Sequence, residues 1–211
     1  FPRKICMYTA FNTIYVSCFG KSLNINDDEY ITLSYLVDYA FRNMAMNTLV
    51  NQLPVLLYIG YFRRNTIDKR QLRQDIIEKL VLNRKKIYDK NNPQTYVDYS
   101  LNLIDDDKIE MRELLADIFF LFAAGQDTTS STAEFGIVLL GKYVEIQNEM
   151  RQLLIKSHGN DKLLNLNHIR SIPEFRALIY EILRISSVVP FGVDHELRND
   201  EYIRLDNGKE Y

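Results

Sequence analysis

The sequence predicts a single, mostly α-helical domain over residues 1–211. Apolar residues recur at helical spacing in three separate stretches, at residues 29–50, 66–89 and 111–155. Only five prolines and eight glycines occur, and no repeat or low-complexity segment divides the chain. Because 46% of the residues are hydrophobic and 12% are aromatic, a chain of this length can bury a large core.

The composition excludes several classes of function. A formal net charge of −2, from 26 basic and 28 acidic residues, predicts no nucleic-acid partner. Cys6 and Cys18 lack the C-x-x-C spacing of a zinc site, and the three histidines show no ligand spacing either. We therefore predict no metal site made by these side chains and interpret both cysteines as buried free thiols.

The first helix is predicted at residues 5–18, where most positions are apolar, and Gly20 should end it as a C-cap. After a polar turn, the periodic pattern at residues 29–50 predicts a second helix. Residues 66–89 predict an amphipathic surface helix whose charged side faces solvent. Residues 96–104 remain ambiguous.

An apolar, aromatic stretch at residues 53–62 interrupts the helical pattern with one proline and one glycine. A buried connection between helices is the favoured interpretation. The alternative is a surface segment that touches a membrane or admits substrate, because an exposed apolar patch of this size is unusual in a soluble protein. Arg63 and Arg64 would then lie at the level of lipid headgroups.

The stretch at residues 111–155 begins with the predicted central helix, which has Asp105, Asp106 and Asp107 as cap candidates, and residues 142–155 are predicted to continue helically after it. Residues 118–124 are apolar all round, so this part of the helix should be buried on most faces. The uncharged stretch is far too short to span a bilayer.

The middle of this helix has an unusual composition, since Ala124 and Gly125 precede an acid and a run of hydroxyl residues. Glycine inside a helix costs roughly 1 kcal/mol relative to alanine, so a specific use is expected. The missing side-chain bulk would let a flat molecule approach the backbone, with Asp127 and Thr128 beside it as a proton-bearing pair. The alternative is a helix kink whose polar patch faces a neighbouring loop.

A further helix is predicted at residues 173–185, with proline in its first turn and Ser171 or Asn167 as its cap. Glu181 and Arg184 lie three residues apart on one face of this helix. Their apolar neighbours indicate a buried, structural ion pair. Removing one partner of such a pair strongly destabilises the folded protein.

The last predicted element is a strand at residues 202–211 that enters an Asn-Gly hairpin turn. It would add a short C-terminal β segment to the helical fold.

Two motifs in this order resemble the cytochrome P-450 haem-thiolate monooxygenases. Residues 124–129, AGQDTT, match the oxygen-activation motif on the long central helix of that family. Residues 181–184, EILR, match its second hallmark at the distance where the family places it. The chain is therefore identified as a member, with a fold that resembles the central helical portion of the cytochrome P-450 fold.

The resemblance implies roles for seven residues. Asp127 and Thr128 match the acid and alcohol that deliver protons to bound dioxygen. Ala124 and Gly125 match the positions that let dioxygen and the haem approach. His195 falls where the family often has a hydrogen-bond donor to a haem propionate, and a surface histidine at a strand edge is the alternative. Glu181 and Arg184 match a pair that locks the haem-side core.

The resemblance also implies a monooxygenase that inserts one oxygen atom into a hydrophobic small molecule, with haem and electrons from a flavoprotein reductase or a ferredoxin. It implies a location at the endoplasmic reticulum membrane or in the cytoplasm.

Neither Cys6 nor Cys18 matches the family's cysteine haem ligand, so we expect an internal fragment of a family member that is inactive as this chain. The alternatives are a non-functional product, or a helical module that binds a partner or a membrane through residues 53–62.

Overall fold

The chain is α-helical over most of the part that its computed structural model describes, namely residues 2–42, 49–50, 52–159, 166–190 and 192. The helices are α1 (Pro2–Phe19), α2 (Asp28–Arg42), α3 (Gly60–Arg63), α4 (Lys69–Lys85), α5 (Tyr96–Asp105), α6 (Met111–Lys142), α7 (Val144–His158), α8 (Leu166–Arg170) and α9 (Pro173–Ser186). A 3-10 turn (Pro54–Tyr58) and a π-helical turn (Arg64–Asp68) flank α3. The mostly α fold class is confirmed. The predicted strand at residues 202–211 and His195 lie outside the described residues.

The core forms where α1 packs along α6, the most extensive helix contact in the described part of the chain. The rings of Phe11 and Phe122 stack with centroids 4.7 Å apart, and Tyr15 stacks on the same Phe122 ring at 6.1 Å. Aromatic pairs of this kind add about 0.5–1.5 kcal/mol each to the free energy of unfolding beyond their buried area. Further buried side chains around this stack include Cys18, Phe19, Leu33, Val37, Ile77, Val81, Val97, Leu101, Leu114 and Ile118.

The predicted end of α1 is confirmed. Gly20 has a φ of +74°, a left-handed conformation that glycine adopts without steric cost. Its N–H donates to the carbonyl of Val16 at 2.7 Å, which satisfies one of the free carbonyls of the last turn.

A buried ion pair joins α4 to α5. Arg84 Nε and Nη2 donate to the two carboxylate oxygens of Asp98 at 2.7 and 2.6 Å, and Asp98 is only 1% exposed. Asp98 also completes a capping box with Thr95, each backbone N–H donating to the other side chain at 3.2 Å. The hydrogen bonds from Arg84 are the largest cause that lowers the pKa of the Asp98 carboxyl below its ordinary value. This box determines the helix at residues 96–104 that the sequence left ambiguous.

The central helix begins where predicted, but its predicted caps are wrong. Glu110 is the N-cap and forms a capping box with Glu113. Residues 105–107 instead end α5, where Asp107 adopts a left-handed φ of 56°. These residues therefore form the C-terminal end of α5, and they lie too far before Met111 to cap α6.

Most of residues 142–155, predicted to continue helically after the central helix, form a separate helix. The backbone of Tyr143 leaves the helical region, with φ −107° and ψ 70°, and separates α6 from α7. Periodicity misses such a break because the apolar pattern continues on both sides of one residue.

The amphipathic character of residues 66–89 is confirmed, because α4 buries Ile77, Leu80 and Val81 and exposes Arg70, Asp75, Lys79 and Lys85. The helix starts at Lys69, after the π-helical turn. The second predicted helix corresponds to α2, and most of residues 43–51 lie outside the described part.

The favoured interpretation of residues 53–62 as a buried connection is wrong. None of the residues in the turn Pro54–Tyr58 is buried, and Tyr58 is 92% exposed. Leu56, Leu57 and Phe62 are half-buried, and the other apolar side chains of the segment are exposed to solvent.

The N-terminus of α9 is partly as predicted. Pro173 occupies the first turn, where its missing N–H costs nothing. The N-cap is Ile172, with no side-chain cap hydrogen bond, so the predicted caps Ser171 and Asn167 are wrong.

Candidate functional site

One face of α6 is left open by the described part of the chain. Phe120 is 73% exposed and Leu121 is 40% exposed, whereas Ile118 and Phe122 are fully buried. The prediction that residues 118–124 are buried on most faces is therefore wrong. The core helices cover one side of α6 only.

The open face borders a cleft of about 620 Å³ between α1, α5 and α6. Its lining is mainly apolar and consists of Ile14, Tyr96, Asp117, Phe120, Leu121, Ala124 and Gly125. The Tyr96 hydroxyl donates to Asp117 at 3.1 Å and gives the cleft a polar wall. Burial is the main cause that raises the pKa of Tyr96, and the nearby Asp117 carboxylate adds to it. The sequence offered no signal for Tyr96 because its segment was ambiguous.

Gly125 is the point of close approach between α6 and α1. A Cβ atom at this position would overlap Cδ1 of Ile14 and lie 3.2 Å from its Cγ1. The space left by the missing side chain is thus filled by Ile14. Gly125 still lines the edge of the cleft, so its predicted contact with a cofactor remains a prediction.

Thr128 lies one helical turn beyond Ala124 on the same side of α6. Its hydroxyl donates to the carbonyl of Ala124 at 2.6 Å. The alternative interpretation was a helix kink at this position. The structure shows no break there, because α6 is helical without interruption from Met111 to Lys142. The hydroxyl is held next to the cleft wall by this bond.

Asp127 is directed towards α1, where its carboxylate lies 3.5 Å from the Arg3 guanidinium. The same guanidinium donates to Glu134 at 3.2 Å. Consecutive helix residues point about 100° apart, so the side chains of Asp127 and Thr128 diverge. The structure does not bring the predicted acid and alcohol together at one point.

Gln126 is a polar residue of the motif for which the sequence suggested no role. It is only 1% exposed, and its side-chain oxygen has no hydrogen-bond partner among the described residues. An unpaired buried polar group costs about 1–3 kcal/mol in unfolding free energy. The signal that could have identified it is a carboxamide inside an otherwise apolar helix.

Glu181 and Arg184 form the predicted pair, with two hydrogen bonds of 2.8 and 2.6 Å. The prediction that the pair is buried is wrong, since the Glu181 side chain is 52% exposed and the Arg184 side chain 70%. Ile182 of α9 packs against Gly136 of α6, whereas Glu181 lies at the edge of a cavity between these two helices. The hydrogen bonds from Arg184 lower the pKa of Glu181.

The mainly apolar lining of the cleft between α1, α5 and α6 fits one face of a flat apolar cofactor, and it includes no histidine or cysteine that could bind iron. No group of histidine, cysteine or acidic side chains in the described part of the chain could hold a metal ion. Cys6 and Cys18 are free and buried, as predicted. Burial raises the pKa of the Cys18 thiol to about 11, so the thiol stays protonated at neutral pH.

A long helix that carries the sequence AGQDTT beside an open apolar cleft is the arrangement expected of a haem-dependent oxygenase. Comparison with known families supports this class, because the family model for Cytochrome P450 matches residues 2–204. The chain belongs to the cytochrome P-450 family, and the resemblance seen in the sequence is confirmed. Membership implies haem as the cofactor.

Curated relatives give the same result. Cytochrome P450 2B9 of Mus musculus is 27% identical over 214 residues, which cover 96% of this chain and 43% of that protein. Cytochrome P450 2G1 of Rattus norvegicus is 27% identical over 208 residues, covering 93% and 42%. Cytochrome P450 1A1 of Dicentrarchus labrax is 26% identical over 203 residues, covering 92% and 39%. The chain thus spans roughly two-fifths of the length of these relatives.

Proposed function

We propose that the chain forms the oxygen-activating part of a haem-dependent monooxygenase that acts on a hydrophobic small molecule. The observation that carries this proposal is the open apolar cleft on α6, with Ala124 in its wall and Thr128 one turn away. Family membership supports haem as the group that the cleft would face.

Haem, when bound, supplies the iron at which dioxygen is reduced and its O–O bond is broken. The residues of this chain would bind the haem, shape the site around it and exclude water from it. Phe120 and Leu121 offer apolar contact, and the single methyl group of Ala124 leaves room for a small molecule beside the helix. An apolar lining excludes water, which strengthens every electrostatic interaction inside the cleft.

Thr128 is the residue that we propose to hold a proton at the site, on its Oγ1 atom. The Thr128 hydroxyl hydrogen is used in the bond to the Ala124 carbonyl. The lone pairs of Oγ1 therefore remain free to accept a hydrogen bond from a proton donor. Asp127 would take part only after its ion pair with Arg3 opens. Gly125 and His195 complete the proposed cofactor contacts, and electrons would come from a flavoprotein reductase or a ferredoxin.

The test is haem titration of the purified chain, with Ala124→Phe as the variant and Ala133→Phe as its control. Both alanines are exposed on α6, and their separation of nine positions places the two side chains on opposite faces. We expect the wild-type chain and Ala133→Phe to bind haem to saturation, and Ala124→Phe to lose binding while it keeps its far-UV circular dichroism.

Equal haem binding by all three proteins, or by none, would contradict the proposal. The carbon monoxide difference spectrum of the reduced complex adds an independent reading. A thiolate-type band would mean that Cys6 or Cys18 reaches the iron, in conflict with their burial.

The exposed segment at residues 53–62 favours a second function, contact with a membrane surface. Tyr58 and Val55 are 92% and 64% exposed, and Arg63 and Arg64 are exposed beside them. Such a combination suits an interface of apolar chains and anionic headgroups. A location at the endoplasmic reticulum membrane or in the cytoplasm is part of this proposal. None of the described helices is long and apolar enough to cross a bilayer.

Flotation with vesicles of phosphatidylcholine and phosphatidylserine tests this contact. We expect the wild-type chain to rise with the lipid and Tyr58→Asp to lose most of that recovery, because a buried carboxylate at the interface is unfavourable. Tyr99→Asp is the matched control, since Tyr99 is 59% exposed on α5. A wild-type chain that stays out of the lipid layer would remove the proposal.

A further inference from the structure

A second cleft lies between α4 and α6, and Phe120 separates it from the cleft beside Ala124. Its volume is about 300 Å³. Its lining consists of Arg70, Arg73, Gln74, Ile77, Arg112, Leu115, Ala116, Phe119 and Phe120. Three of these residues are arginines, none is acidic, and the rest are mostly apolar.

Arg73 is the central cation of this cleft. Its guanidinium carbon lies 3.4 Å from the centre of the Phe119 ring, a cation–π contact that holds the side chain in place. Burial, and secondly the positive charge of Arg70, lower the pKa of Arg73 to about 10. The guanidinium is thus partly desolvated beside a like charge.

Arg70 and Arg73 have no carboxylate partner in the described part of the chain, because none of the ion pairs found there involves either residue. Arg112, at the rim, lies 3.4 Å from Glu110, and both of these side chains are largely exposed. Two neighbouring positive charges beside apolar side chains repel each other and are poorly solvated. A bound anion would neutralise them and stabilise this arrangement.

We propose that this cleft binds a small amphipathic carboxylate. Its anionic head pairs with Arg70 and Arg73, and its apolar tail lies on Phe119 and Phe120. The planar guanidinium group matches a carboxylate through two parallel hydrogen bonds. The cleft has the volume of a small-molecule site. Binding at this site does not require haem, so the carboxylate site can be tested independently of the proposed oxygenase function.

Isothermal titration calorimetry of the purified chain with decanoate, and with decan-1-ol as the uncharged comparison, tests the proposal. We expect decanoate to bind more tightly than decan-1-ol, and more weakly as sodium chloride is raised. Arg73→Met keeps the apolar stem on Phe119 but removes the charge. It should weaken decanoate binding by about tenfold to hundredfold, the range for a charge-assisted hydrogen bond.

Three further variants complete the test. Arg73→Lys keeps a charge and should retain part of the affinity. Arg70→Met removes an exposed arginine, so it should weaken binding even if Arg73→Met fails to fold. Arg151→Met removes an exposed arginine on α7, far along the chain from the cleft, and should bind decanoate as the wild type does.

Equal affinity for decanoate and decan-1-ol would overturn the proposal, as would unchanged binding in folded Arg73→Met and Arg70→Met. Vesicles that contain phosphatidylserine provide the last test. If they displace decanoate from the wild-type chain, and not from the arginine variants, the arginines contact a lipid surface and the small-molecule site is wrong.

Discussion

Replacing Asp98 by alanine is expected to lower the free energy of unfolding by on the order of 3–5 kcal/mol, the usual cost of removing one partner of a buried ion pair. The Arg84 side chain is only 18% exposed and would lose both of its hydrogen bonds to Asp98. The start of α5 would also lose its capping box with Thr95. Urea unfolding of the purified chain, followed by circular dichroism, measures the change.

The effect of this substitution should depend on pH in a defined direction. The pKa of Asp98 in the folded chain lies below its unfolded value of about 4. Its contribution to stability is therefore fully present above that pH and is lost as the pH falls through the folded pKa. The difference between wild type and Asp98→Ala should shrink below about pH 4.

Glu181→Gln is the matched control, because it removes the charge of an exposed pair with similar hydrogen-bond lengths. Solvent screens such a pair, so no measurable change in stability is expected. If Asp98→Ala proves as mild as Glu181→Gln, the Arg84 pair contributes little and our account of the α4 and α5 junction is wrong.

Replacing Gly125 by alanine is expected to destabilise the chain by about 1–3 kcal/mol, the cost of forcing extra volume into a packed contact. The expectation runs against helix propensity, which favours alanine over glycine by about 1 kcal/mol. Sterics should prevail because the new Cβ atom would overlap Cδ1 of Ile14 at the main helix contact. The midpoint of urea unfolding, at unchanged slope, is the measurement.

Three further variants identify the cause. Gly141→Ala adds the same methyl group to α6 where no atom lies within 4 Å, so it should be neutral or stabilising. Ile14→Val deletes Cδ1, the clashing atom, and alone should cost about 0.5–1.5 kcal/mol. Combined with Gly125→Ala it should cost less than the sum of the two single changes. Strict additivity would show that the two residues do not meet.

Local signals predicted the helices well where one feature was sufficient. Glycine after an apolar run marked the end of α1 at Gly20, and proline marked the first turn of α9. The caps of α6 were harder, because residues 105–107 and Glu110 are all acidic candidates within a few positions. Which acid caps which helix depends on where the preceding helix stops.

Burial was the property that local patterns predicted least. Apolar neighbours suggested a buried Glu181–Arg184 pair and a buried segment at residues 53–62, and both are exposed. Apolar composition indicates that a side chain gains by burial. It does not indicate whether another element lies against that side chain.

The candidate site shows the same division between local and long-range information. The motif at residues 124–129 was visible as a sequence and established the family resemblance. The direction of its side chains was not visible. Only the packing of α1 directs Asp127 to Arg3 and fills the space beside Gly125 with Ile14.

The sequence by itself determined that this chain is helical, that its central helix carries an oxygen-activation motif, and that Cys18 is a buried thiol. These properties follow from residue type and spacing along one segment. The tertiary structure decided which faces are covered and which charges meet. A net charge of −2 predicted only that the chain has no nucleic-acid partner, whereas folding brings Arg70 and Arg73 of α4 beside α6. Long-range contacts determine which charges lie close together in space. The net charge is a sum over the whole chain, so it does not reveal such local clusters.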